Sequence, residues 1–183
     1  MAIATLATRL VAAFLALGLA GCAGLSGSGG QAGESDTLRV MTYNIHHGAD
    51  SQERMNVAEI AAVIRREQPD IVALQEVDRG VERTQRRDLL VELARLTGMG
   101  HRAFGKNIDH QGGQYGNAIL SRHPILRQTN TLLTQREPGE RRGVLQAVVN
   151  VRGRQVAVLA THFDVRNDEE RLLEVRQIEG QIL

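Results

Sequence analysis

What this chain has little of narrows its reading at once. Among 183 residues Cys22 is the only cysteine, so no intramolecular disulfide frames the fold. No apolar run reaches the ~20 residues that span a bilayer; the longest, Leu10 to Leu19, falls far short. Net charge is almost absent as well. Lys plus Arg number 22 and Asp plus Glu 21, leaving a formal +1 that gives no global case for nucleic acid as a partner. Lysine is nearly missing: with Lys106 alone, the cations are almost all planar guanidiniums, which suit bidentate phosphate contacts. They crowd at Arg83 to Arg87 and at Arg136 to Arg142, where a solvated surface is the commoner meaning. Internal repeats are lacking. Disorder is excluded by a 42% hydrophobic content, which allows one globular domain with a real core.

The first 22 residues read as a targeting segment. Arg9 precedes the apolar run, which ends Leu19-Ala-Gly-Cys22. That ending looks like a bacterial lipobox, with cleavage before Cys22 and lipid attached to its thiol; the alternative is a simple cleaved signal with Cys22 as a bystander. Residues 23–36 have the Gly/Ser composition of a flexible tether, so a folded domain is expected over 37–183.

From Thr37 onward strand and helix patterns alternate. Leu38 to Tyr43 reads as a strand; Met55 to Gln68 reads as a helix, apolar at Val57, Ile60, Ala61 and Ile64 and stopped by Pro69. Asp70 to Glu76 is the next strand, and a second helix runs from about Arg87 to Thr97, with Gly98 as its left-handed cap. His101 to Phe104, Asn117 to Ser121, Val144 to Val151 and Gln155 to Thr161 favour extended structure, the last two joined by a tight Arg152-Gly-Arg154 connection. Asn167 caps a last helix from Asp168 to about Ile182, with Leu172, Val175 and Ile178 expected inward.

Polar groups stand at the ends of these strands. Asn44 follows Val40-Met-Thr-Tyr43, and Glu76 ends Pro69-Asp-Ile-Val-Ala-Leu-Gln75, where a buried strand needs no polar group. Joined by a helix, the two strand ends can share one edge of a sheet, where open α/β sheets place their ligands. Tyr115 and Asn117 sit before a strand in Gly112-Gly-Gln-Tyr-Gly-Asn117, whose glycines would let backbone approach a ligand closely. Arg142 precedes Val144 to Val151, and His162 follows Val156 to Thr161. Each also has an ordinary structural meaning: a turn residue, a solvated charge or a satisfied buried histidine. His46 and His47 read equally well as contacts to substrate or metal and as plain loop residues.

Thr42-Tyr-Asn44, Leu74-Gln-Glu76, Tyr115 to Arg122, Glu140-Arg-Arg142 and Thr161-His162 occur in the order and approximate spacing of the endonuclease/exonuclease/phosphatase superfamily, the fold of pancreatic deoxyribonuclease. The wording Asn-Ile-His-His-Gly resembles, more narrowly, a group of bacterial exported hydrolases. The resemblance covers Leu38 onward and implies an α/β four-layer sandwich, two packed β-sheets flanked by helices, with the site where the sheet edges meet. It implies a metal-dependent phosphoesterase that hydrolyses a phosphodiester or phosphomonoester by in-line attack of water.

By the same resemblance, Glu76 is the main protein ligand of a Mg²⁺ (Mn²⁺ as the alternative), an ion that takes few carboxylates and leaves positions for substrate phosphate. Asn44 lies beside it, Tyr115, Asn117 and Arg142 hold phosphate oxygens with Arg141 as a substitute for Arg142, and His162 stabilises the phosphoryl group. A complete member continues with a strand ending Gly-Asp-x-Asn and a later Asp-His pair. Neither occurs here: Asp109-His110 precedes the Tyr-Gly-Asn segment, and Asp164-Val-Arg-Asn167 has one residue too many. The expectation is therefore the amino-terminal portion of such a domain, the carboxyl-terminal half absent, held to a bacterial membrane by its lipid. The competing expectation is a non-catalytic envelope lipoprotein that keeps the scaffold for binding.

Overall fold

A computed structural model describes residues 37–136 and 138–181. The proposed signal, lipobox and tether lie outside the described residues.

The chain runs strand β1 (Val40–Asn44), helix α1 (Val57–Glu67), β2 (Ile71–Arg79), α2 (Leu89–Thr97), β3 (His101–His110), β4 (Gly113–Ser121), β5 (Ile125–Leu132), β6 (Gly143–Val151), β7 (Arg154–Thr161) and α3 (Asp168–Gln181). The strands form two packed sheets, one ordered β1-β2-β4-β3 and one ordered β5-β6-β7. This is the expected α/β architecture.

β2 shows why the sheets stack. Its residues alternate between two apolar clusters, so the strand reads as a continuous hydrophobic run rather than an alternating one. Val72, Leu74 and Val77 face α1 and α2, packing with Ile60, Ile64, Leu89 and Leu93. Ile71 and Ala73 face the other sheet, where Ile119 of β4 meets Leu145, Ala147 and Val149 of β6. α1 fits its slot because Val57, Ile60, Ala61 and Ile64 fall on one face. It ends at Gln68 in the left-handed region, just before Pro69. α2 starts where the Asp88 carboxylate accepts from Val91 N at 3.0 Å, and stops at Gly98 with φ 70°. The connection of β6 to β7 is tight, as expected, with Arg152 and Gly153 both at positive φ.

Three expectations are corrected. β5 carried no strand signal, because Arg127-Gln128-Thr129-Asn130 is polar throughout; it is an edge strand, largely exposed, whose neighbour β6 supplies the apolar face. Gly113 and Gly116 of the Gly112 to Asn117 stretch admit neighbouring backbone, where a Cβ would run into Gly80 and Gly105 O, and Gly112 faces the Arg86 side chain. The third correction concerns α3. Leu172 is 55% exposed and Val175 36%, while Glu170, Glu174 and Gln177 are the buried side chains. The loop backbone facing α3 needs partners, and these polar groups provide them. Glu170 accepts from Arg136 N, Glu174 accepts from Asp164 N at 2.9 Å, and Gln177 both accepts from Thr134 N and donates to Thr134 O. Asn167 caps the helix as expected, accepting from Glu170 N at 2.8 Å.

Candidate active site

The site is assembled at the ends of strands from both sheets. β1 and β2 run parallel, and Asn44 pairs with Gln75, bringing Asn44 beside Glu76. β2 does not stop at Glu76. It continues to Arg79 through an irregularity in its pairing with β4 between Leu74 and Val77, and Glu76 sits in that irregularity with φ 61°. An extra residue in a ladder re-aims a side chain, here the Glu76 carboxylate. The Asn44 amide donates to Glu76 Oε1 at 2.7 Å, and Asn44 Oδ1 accepts from His46 N at 2.9 Å. One side chain thus ties together the carboxylate and the turn that follows β1.

The other half comes from the second sheet. His162, just past β7, places Nδ1 4.0 Å from Glu76 Oε1. Arg142, just before β6 and 4% exposed, donates from Nη1 to His162 Nδ1 at 3.3 Å. A guanidinium only donates, so Nδ1 accepts and neutral His162 carries its proton on Nε2. Burial first, and then the Arg142 charge, push the His162 pKa below its ordinary value, against a smaller opposite pull from Glu76 and Glu140. Arg142 also pairs with Glu140, and its Nε is buried without a hydrogen bond. Arg141 points elsewhere: it is exposed and donates to Leu133 O. Of the two arginines, Arg142 is the one turned inward.

Tyr115 and Asn117 lie on β4 between these halves. Tyr115 is buried, and its phenol is pushed well above the ordinary value by burial first and by the Glu140 and Glu76 charges, so it stays a proton donor. The Arg83 guanidinium stacks 5.3 Å from the centre of its ring, held there by the fully buried Asp78 through bonds of 2.8 and 3.0 Å. Asn117 donates its amide to Gly143 O at 2.9 Å, across to the second sheet, leaving a buried Oδ1 without a hydrogen bond. The sequence motifs left Glu140, Asp78 and Arg83 unassigned; Glu140 alone carried a signal, standing two residues before Arg142. Asp109 pairs with Lys106 at 3.1 Å, and Asp164 is held by Arg166, so both serve local structure.

His46 and His47 form a short turn after β1, their ring centres 4.4 Å apart. Together with Glu76 they offer three ligand atoms within 4.8 Å of one another, a donor set that fits a divalent cation.

The two-sheet α/β sandwich gathers a carboxylate, an amide, a phenol, a guanidinium and an imidazole at one end of its strands, a convergence of polar groups of the kind that marks a candidate active site. The chain belongs to the endonuclease/exonuclease/phosphatase family, whose model matches residues 41–181. Members of that family are hydrolases acting on phosphoester bonds. The chain is 30% identical over 143 residues to the uncharacterized protein YbhP of Escherichia coli, covering 71% of this chain and 54% of that one. It therefore spans about half the length of the curated relatives it matches. Among solved structures it is similar to an endonuclease/exonuclease/phosphatase from Beutenbergia cavernae, with TM-score 0.62, 31% identity, and coverage of 75% of this chain and 43% of that one. A family protein from Leptotrichia buccalis shares the fold at 19% identity, TM-score 0.59, covering 80% of this chain and 64% of that one.

Proposed function

We propose that this chain contributes the metal-holding and phosphate-holding part of a phosphoesterase in which water attacks a phosphodiester or phosphomonoester in line. The observation that carries the reading is the meeting of the two sheets: Glu76 and Asn44 from one, His162 and Arg142 from the other, with His162 Nδ1 4.0 Å from the Glu76 carboxylate. No fold requirement explains a carboxylate, an imidazole and a guanidinium converging at sheet ends.

Glu76 fits a cation because Asn44 holds only one of its oxygens, leaving the other as a donor beside the site. Mg²⁺ or Mn²⁺ bound there supplies Lewis-acid neutralisation of charge on the phosphoryl oxygens. Asn44 orients the Glu76 carboxylate. Tyr115, kept neutral, donates to a nonbridging oxygen, and Arg142 exchanges its Glu140 partner for the phosphate, for which a planar guanidinium is the better-matched donor. His162, with its proton on Nε2, donates where negative charge gathers in the transition state.

We propose further that Cys22 carries a lipid anchor in a bacterial envelope, supported by the Leu19-Ala-Gly-Cys22 sequence and the Gly/Ser tether after it. Metabolic labelling with a radioactive fatty acid, lost in Cys22→Ser, tests it. Nucleic acid, a phospholipid or inositol head group and a small phosphate ester each present a phosphate that these contacts can hold.

The activity is tested by hydrolysis of bis-p-nitrophenyl phosphate and p-nitrophenyl phosphate, with Mg²⁺ or EDTA, by the 183-residue chain and its Glu76→Ala variant. Metal-dependent turnover lost in the variant is the expected result. A folded chain with no turnover in Mg²⁺ overturns catalysis and leaves the scaffold as a binding module.

A further inference from the structure

The turn after β1 is more unusual than a loop needs to be. His46 and His47 have φ 46° and 42°, and Glu76 across from them has φ 61°. Non-glycine residues seldom adopt the left-handed region, and such conformations collect at sites where the surrounding structure enforces them. Here enforcement is visible. Asn44 bonds both His46 N and Glu76 Oε1, and Ile45, 2% exposed, anchors the turn in the core with its N–H on Gln75 O at 3.2 Å.

The result is two imidazoles and a carboxylate offering ligand atoms within 4.8 Å of one another. A cation at their centre lies less than about 3 Å from each donor, and a contraction of under about 1 Å brings all three to the ~2.0–2.2 Å of zinc bonds to imidazole and carboxylate. Glu53 adds a second carboxylate beside the rings: Oε2 is 3.1 Å from His47 Nε2, and Oε1 is 3.7 Å from His46 Nε2. A carboxylate on a ring nitrogen fixes the tautomer of a ligating histidine.

We propose that His46, His47 and Glu76 form a site for a borderline transition cation, of the Zn²⁺ or Co²⁺ type, with Glu53 orienting the imidazoles. Imidazole donors favour such ions over Mg²⁺, which takes oxygen ligands and gives up water reluctantly. The inference deepens the reading of Glu76 as a metal ligand and rests on it. It changes the ion selected: the site prefers Zn²⁺ to Mg²⁺ because of the two histidines.

The test uses the full chain, with Co²⁺ and Zn²⁺ as probes. Equilibrium dialysis gives stoichiometry and affinity, and the visible absorption of bound Co²⁺ reports nitrogen ligation. The variant is His46→Asn/His47→Asn, since asparagine tolerates positive φ and so removes the imidazoles while keeping the turn; circular dichroism checks its fold. The expected result is about one Zn²⁺ per wild-type chain, weakened by at least ~10-fold in the double variant and in Glu76→Gln, with Mg²⁺ affinity of the double variant within about twofold. Unchanged Zn²⁺ affinity and an unchanged Co²⁺ spectrum in the folded double variant overturn the proposal, as does unchanged Zn²⁺ binding in Glu76→Gln. The double-variant outcome leaves the phosphoesterase reading, decided by turnover with Mg²⁺, as it stands, whereas unchanged Zn²⁺ binding in Glu76→Gln also removes Glu76 as the cation ligand of that reading.

Discussion

Asn44 is the residue on which both halves of the metal-holding edge depend. Its amide carries Glu76 Oε1 and its oxygen carries the His46 N–H, so Asn44→Ala releases the carboxylate and the turn together. Since misplacing a reactive group by about 1 Å costs ~10² in rate, Asn44→Ala is expected to lower kcat/KM by about that factor. Loss of two exposed hydrogen bonds costs about 1–2 kcal/mol at most, so urea denaturation of the variant should show a folded protein. A variant with undiminished turnover would mean that Glu76 is oriented without Asn44. Asn44 and Glu76 were legible in the sequence because a polar residue ending an apolar strand breaks the pattern. Their geometry was not. Positive φ at His46, His47 and Glu76 is imposed by tertiary contacts and carries no glycine to announce it. The partner of Arg142 was equally hidden, because nothing in Glu140-Arg-Arg142 tells which arginine turns inward.

At the scale of elements, α3 shows how far periodicity can mislead. Reading its face from Leu172, Val175 and Ile178 assumes that apolar means buried, whereas the loop beneath it requires hydrogen-bonding groups and draws in Glu170, Glu174 and Gln177. Leu172→Ser should therefore change stability by less than about 0.5 kcal/mol, as exposed substitutions do, and thermal denaturation checks it; a loss of several kcal/mol would show that the residue is covered. Glu174 gives the complementary test. Burial raises its pKa, outweighing the Asp164 N–H and Arg142, and its Oε1 is buried without a hydrogen bond. A raised folded pKa means stability that is full below the ordinary glutamate value and is lost as pH rises through the folded value. Glu174→Gln keeps an acceptor for Asp164 N and removes that slope. It should match wild type near pH 4 and exceed it by up to about 1 kcal/mol near pH 7, as measured by denaturation at the two pH values. The helices α1 and α2 and most strands were legible because their apolar faces are where pattern rules place them; β5 was not, because an edge strand with polar side chains has no alternation to read.

The whole molecule places its site between sheets, so the site is only as well aligned as the sheets are. Glu76 belongs to one and Arg142 and His162 to the other; what fixes one against the other is the Ile71, Ile119, Leu145 and Val149 cluster and side-chain bonds from Asn117 to Gly143 O and from Asn130 to Lys106 O. Leu145 is fully buried at the centre of that layer. Leu145→Ala removes three carbons there and should cost about 2–5 kcal/mol, a loss visible in denaturation midpoints. A cavity in the layer also frees the sheets to shift, which moves the His162 and Arg142 half relative to Glu76. Turnover should then fall in protein that is still folded, while the affinity of the Glu76 edge for a divalent cation holds, because every ligand proposed for it lies on the first sheet or its following turn. Asn117→Ala should do the same to a smaller degree and at lower stability cost, about 1 kcal/mol, since it cuts the bond nearest the site, leaves that of Asn130 to Lys106 O and does not open the layer. If either variant lost metal affinity and turnover in equal measure, the two sheets would be acting as one rigid body and the division of the site between them would carry no meaning.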